Sequence, residues 1–142
     1  MKTETFIKWL TAELCAVAGL LWGDLDGMMT ALLVCMCLDM LTGLIAGAME
    51  KKLDSAVCFK GVGKKLLILL VVALGYILDT YVFGAAFCKP VAEGFYIANE
   101  GLSILENTGK FVPYPKKLRE ILKQLKSEND EGEKSEDEHS ND

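Results

Sequence analysis

Four carboxylates stand in apolar or half-apolar surroundings: Asp39, Asp79, Glu93 and Glu100. Carboxylates become catalytic when a nucleophile, a base or a metal shares their site, and the chain offers no such context. It has no Gly-rich phosphate loop, no nucleophile elbow and no His-Glu-x-x-His, and its one histidine, His139, lies in a polar tail. The five cysteines (Cys15, Cys35, Cys37, Cys58, Cys88) form no Cys-x-x-Cys pair, and Cys35 and Cys37, two apart on a helix, point to different sides. No enzyme, cofactor or metal site is expected, and no basic-aromatic surface suggests nucleic acid. What remains is the chemistry of a charge placed in hydrocarbon.

Asp39 poses that problem most sharply, near the centre of the run "LLVCMCLDMLTGLIAGAM" from Leu32 to Met49. A carboxylate at the middle of an isolated inserted helix costs about 2.5 to 3.5 kcal/mol. On a helix, Ala31, Cys35, Asp39, Gly43 and Gly47 form one i, i+4 ridge, with Thr42 beside it. Small residues let a second backbone approach, and a protonated Asp39 can donate a hydrogen bond across the contact. The ridge is therefore expected to be a packing seam, either between copies in a homo-oligomer or against other helices of the same chain. Asp79 lies near the end of another apolar run, a second buried partner or a group reaching the interface. Further on, Glu93, Asn99, Glu100, Ser103, Glu106 and Asn107 share one side of residues 85–107, opposite Val91, Phe95, Ala98, Leu102 and Leu105. Such a polar side is either solvated or lines a pore.

The elements that position these residues follow from hydropathy. The chain has 142 residues, 51% of them hydrophobic, and concentrates them in a few dense runs. Met28 to Met49 contains Asp39 as its only ionisable side chain apart from cysteines; as a helix of that length it covers about 33 Å, enough for a bilayer core of about 30 Å. Leu66 to Phe83 is a second span, with Tyr76 and Tyr81 at interfacial depth. Phe6 to Trp22 is weaker, interrupted by Lys8 and Glu13. Cleavage of this segment as a leader, at "AVAG" 16–19, is the alternative, but both charges would break its apolar region. The fold expected is an all-α integral membrane protein with three to four transmembrane helices, at about 6–23, 28–49, 64–83 and 85–107, in a membrane domain of residues 1–109. A basic amphipathic segment, 110–126, and a disordered acidic tail, 127–142, should follow.

Charge sets the orientation. The tail carries eight acids against Lys134, a net −7, so the overall −5 leaves +2 on the body. Lys51, Lys52, Lys60, Lys64 and Lys65 crowd the connection between the two firm spans, whereas "GDLDG" at 23–27 has no base. The lysine connection is thus expected on the cytoplasmic side. Lys116, Lys117 and Arg119 belong to a second basic stretch, "KFVPYPKKLREILKQLK", where Leu118, Ile121, Leu122 and Leu125 repeat at helical spacing after Pro113 and Pro115. Such a helix suits an anionic inner leaflet, which makes membrane lipids a partner and requires 85–107 to return across the bilayer. Four crossings with both ends inside are favoured over three.

Three stretches together resemble the phage holin family of toxin-secretion and phage-lysis holins (bacteriophage holin family 4). They are Asp39, Thr42 and Gly43 in a membrane helix; Ser55, Lys60, Gly61, Lys64 and Lys65; and Asn99, Glu100, Ser103, Glu106 and Asn107 ahead of Pro113. The resemblance covers about 28–126. It implies a small protein of the bacterial host's cytoplasmic membrane that accumulates, oligomerises and opens the membrane to an endolysin or a toxin, without necessarily touching that cargo. A small ion or solute channel, a transporter subunit, or a non-lytic membrane adaptor are the other classes the residues allow.

Overall fold

The computed structural model describes residues 2–137. His139 and the rest of the tail beyond Asp137 lie outside them. The described residues form five α-helices and no strand: α1 (Lys2–Trp22), α2 (Gly27–Met49), α3 (Ser55–Leu78), α4 (Cys88–Thr108) and α5 (Lys116–Asp137), with a π-helical turn, Asp79–Phe83, extending α3. Thr3–Trp22, Gly27–Met49 and Ser55–Phe83 are long and apolar enough to cross a membrane.

Short acidic caps start the inner helices. Asp26 accepts a hydrogen bond from the Met29 amide at 2.7 Å and opens α2; Asp54 accepts one from the Ala56 amide at 2.8 Å and opens α3. The cap at Asp54 corrects an expected boundary. The helix starts at Ser55, not near residue 64, so most of the lysine-rich connection is helical and the loop shrinks to residues 50–54. A second difference lies at the other end: α5 runs to Asp137, so residues 127–137, expected as disordered tail, continue the helix. Glu and Lys are good helix formers, and their propensity carries the helix on after its apolar face ends.

The core is small and lies between α2, α3 and α4. Met29, Leu32 and Met36 of α2 meet Ile68 and Val72 of α3, with Trp22, Leu33, Leu69, Ala92, Tyr96 and Ile97 around them. The Trp22 indole donates to the Leu69 carbonyl at 2.8 Å and fixes the end of α1 on α3. Gly23 turns the chain there at φ +67°, and a Cβ on it would stand 2.6 Å from the Tyr76 ring, so no other residue fits. Burial runs opposite to that of a water-soluble bundle: Leu67 is 64% exposed while Glu93 is 0% exposed. Apolar side chains face outward and charges inward, the arrangement hydrocarbon surroundings favour.

α4 runs beside α2 in the same direction. Lys89 near its start pairs with Asp26 at 2.9 Å, and Lys110 just past its end pairs with Glu50 at 2.7 Å, so the two helices cover the same length. α5 then folds back along α4, with Leu122 against Gly101 and the Lys126 ammonium 5.7 Å from the Phe95 ring centroid.

Candidate functional site

Two clusters of charged side chains lie inside the body. The first joins α2, α3 and α4. The Lys65 ammonium donates to Asp39 Oδ2 at 2.7 Å and to Glu100 Oε2. Asn107 Nδ2 donates to Asp39 Oδ1 at 3.1 Å and to Thr42 Oγ1 at 3.3 Å, while the Thr42 hydroxyl donates to the Asp39 carbonyl at 3.1 Å. One cation thus bridges two carboxylates on different helices, and an amide ties off the remaining oxygen of Asp39. The cost of Asp39 is offset inside the chain.

The depth of Lys65 corrects its assignment as a cytoplasmic anchor. It lies ten residues into α3, about 15 Å along the axis, and Asp39 lies ten residues before the end of α2. Because these antiparallel helices meet at the short loop of residues 50–54, the two side chains reach the same level. Lys51, Lys52, Lys60 and Lys64 are exposed, as are Lys116, Lys117 and Arg119 on α5.

The rest of the small-residue ridge is also occupied by its own chain. A Cβ on Gly43 would meet Asn107 Nδ2 at 3.5 Å, and one on Gly47 would meet the Leu53 side chain at 3.3 Å. Cys35, one turn before Asp39, is half-buried. These contacts are all made within one chain.

The second cluster stands at the opposite end. Asp79 is buried and caps α4, its two oxygens accepting from the Cys88 and Lys89 amides at 2.8 Å each. Gly75 makes the approach possible: a Cβ there would lie 3.0 Å from the Lys89 nitrogen. The Lys89 ammonium then points to Asp26 and sits 5.7 Å from the Tyr76 ring centroid. Glu93, one turn along α4, is fully buried 3.6 Å from that ammonium, and neither of its oxygens has a hydrogen-bond partner among the described residues. Outside the membrane-spanning segments, the Met29 amide and then Lys89 hold Asp26 below the ordinary carboxylate value, and Lys110 does the same for Glu50.

Neither Glu93 nor Glu100 faces outward as a pore lining would require of a single copy. Asn99 and Ser103 are half-buried, and Glu106 is exposed. Asp26 and Lys89 were not expected in any site. Their signal was Lys89 itself, the only base between Lys65 and Lys110, which needs an acid when its surroundings are apolar.

The helices and inward charges define a multi-pass membrane protein. A model of the bacteriophage holin family matches residues 16–127. The chain belongs to that family, which is membrane-permeabilising and not enzymatic. Among its relatives, an uncharacterised 14.9 kDa protein in the nagH 3′ region of Clostridium perfringens is 40% identical over 122 residues, 84% of this chain and 92% of that protein. A probable holin of Bacillus phage phi105 is 32% identical over 125 residues, 87% of this chain and 92% of that one. An uncharacterised Listeria monocytogenes protein, Lmo0128, is 34% identical over 122 residues, 86% of this chain and 85% of that protein. No solved structure matches the chain.

Proposed function

We propose that this protein is a holin that assembles in the cytoplasmic membrane and opens it, so that an endolysin or a toxin passes to the cell wall. The observation that carries the reading is the position of α5. Its later part, with Gln124, Lys126 and Glu128, lies along α4, on one side of a body whose α2 and α3 present Leu38, Leu41, Leu44, Leu67, Leu70 and Leu74 outward. A lysine or arginine at the centre of hydrocarbon costs about 2.5 to 3.5 kcal/mol, so one copy is poorly served by lipid on that side. Several copies can turn these sides toward shared water while their leucines stay in lipid. The α4–α5 side, with Asn99, Ser103 and Glu106, is the proposed lining of the opening. The cluster at Asp39 serves as an internal clamp that keeps each copy rigid as it assembles.

The proposed topology has the N-terminus inside and α4 as the return crossing, which the ion pairs at the two ends of α2 and α4 support. Residues 1–109 then form the membrane domain, and the basic stretch 110–126 starts at its cytoplasmic end and runs back along α4. Controlled expression in a bacterium tests the function. Growth should continue and then stop abruptly, with a cytoplasmic enzyme released into the medium. A channel reading is favoured by one observation, the buried Glu93 without a hydrogen bond, and requires collapse of the membrane potential with the enzyme retained.

A further inference from the structure

The corner between α4 and α5 holds an open cavity of ≈ 450 Å³. Its lining includes Gly109, Tyr114, Lys116, Arg119, Glu120 and Lys123. The spacing 116, 119, 123 places three cations on one face of α5, with Glu120 the single acid among them. None of these four charges makes an ion pair among the described residues, unlike Lys65, Lys89 and Lys110 elsewhere in the fold. The corner is also built. Gly109 has no Cβ because one would stand 2.5 Å from the Tyr114 ring and 2.7 Å from the Leu105 carbonyl, so glycine seats the ring against the end of α4. Ahead of Leu118, whose amide donates to the Pro115 carbonyl at 3.1 Å, the Lys116 and Lys117 amides add donors at the start of α5.

We infer that this cavity binds the phosphate of an anionic phospholipid headgroup. Three cations converging on a space of headgroup size, one of them an arginine able to grip two phosphate oxygens at once, match that chemistry. Depth selects a lipid over free phosphate. The cavity adjoins Lys110, whose pair with Glu50 marks the end of the apolar α2, the level at which headgroups lie. A tyrosine at that level is itself typical of the interface. The inference rests on the proposed placement of the body in the membrane and not on lysis.

The full-length protein is reconstituted in phosphatidylcholine containing phosphatidylglycerol, extracted gently, and its bound lipids counted by native mass spectrometry. Wild type should retain phosphatidylglycerol preferentially. The triple variant Lys116→Gln, Arg119→Gln, Lys123→Gln should lose that preference by about a hundredfold, taking roughly fivefold for each of the three cations. A control with the same charge change, Lys51→Gln, Lys60→Gln, Lys64→Gln, should keep it within about twofold. Gly109→Ala displaces Tyr114 without altering charge and should also lower retention, which keeps the test decisive if the triple variant does not fold. No preference in wild type, or equal losses in triple variant and control, overturns the site. Displacement of the lipid by millimolar inorganic phosphate, with equal retention of phosphatidylcholine, overturns the lipid as its source. A chain that retains phosphatidylglycerol yet never lyses cells leaves the site standing and removes the holin reading.

Discussion

The two internal clusters solve the same problem with different completeness. At the Asp39 cluster every charge has a partner: two carboxylates share Lys65, and Asn107 and Thr42 occupy what remains. At the Lys89 cluster the cation is committed to Asp26, and Glu93 is left fully buried without a hydrogen bond. A satisfied network inside a low-dielectric body is rigid, whereas a half-satisfied one stores a penalty that a rearrangement can relieve. The difference assigns clamping to the end where α2 and α3 are joined by a short loop. It assigns the capacity for change to the end where α3 turns into α4.

The largest test of that contrast is Lys65→Met, which leaves Asp39 and Glu100 facing each other without a cation. It should cost about 3 to 5 kcal/mol, read as a lowered unfolding midpoint in detergent by the fluorescence of Trp9 and Trp22. Adding Asp39→Asn and Glu100→Gln should restore much of it. If Lys89→Met costs as much as Lys65→Met, the two clusters are equivalent and the contrast fails.

Backbone packing sharpens the contrast next. Gly75→Ala places a methyl 3.0 Å from the Lys89 nitrogen and 3.1 Å from the Cys88 carbonyl carbon, both backbone atoms that α4 holds in place. It should cost about 1 to 3 kcal/mol and loosen the Asp79 cap. Gly43→Ala meets only the Asn107 amide at 3.5 Å, an ordinary contact, and should stay close to wild type in the same unfolding assay.

Glu93→Gln is the more diagnostic change although its effect is smaller. Removing a buried charge that has no hydrogen bond and only a long ion pair to Lys89 should be neutral or stabilising by up to about 1 kcal/mol, while Glu100→Gln, which weakens a hydrogen-bonded ion pair, destabilises. Equal destabilisation by both substitutions would show Glu93 to be as well satisfied as Glu100. The smallest effect is that of pH on Asp26. Its carboxyl is held below the ordinary value of 3.8, so its contribution is present above that value and disappears as pH falls through the lower folded one. The difference in stability between wild type and Asp26→Asn should therefore stay flat from pH 8 to 5 and shrink only below about 4.

Much of the membrane body was legible in sequence because hydropathy is a local property. The runs at 28–49 and 66–83 are apolar whatever they touch, and Asp39, Glu100 and Asn107 stand out individually as polar groups that need partners. The start of α3 was not legible from hydropathy. Residues 55–65 are basic and broken by glycines, and it is the Asp54 cap that carries the helix through them. That single boundary misplaced Lys65, since a lysine in a loop reads as a surface anchor and a lysine ten residues down a helix does not.

By itself the sequence determined the apolar spans, the side of α4 that is polar, the basic face of α5 and the likeness to holins. Only the tertiary structure decided that Asp39 meets Lys65, 26 residues away, and Glu100 beyond it. It alone decided too that Asp79 caps a helix it precedes and that Glu93 has no hydrogen-bond partner among the described residues. Charge pairing is short-ranged and set by which helix ends adjoin, and no local pattern of residues encodes that adjacency.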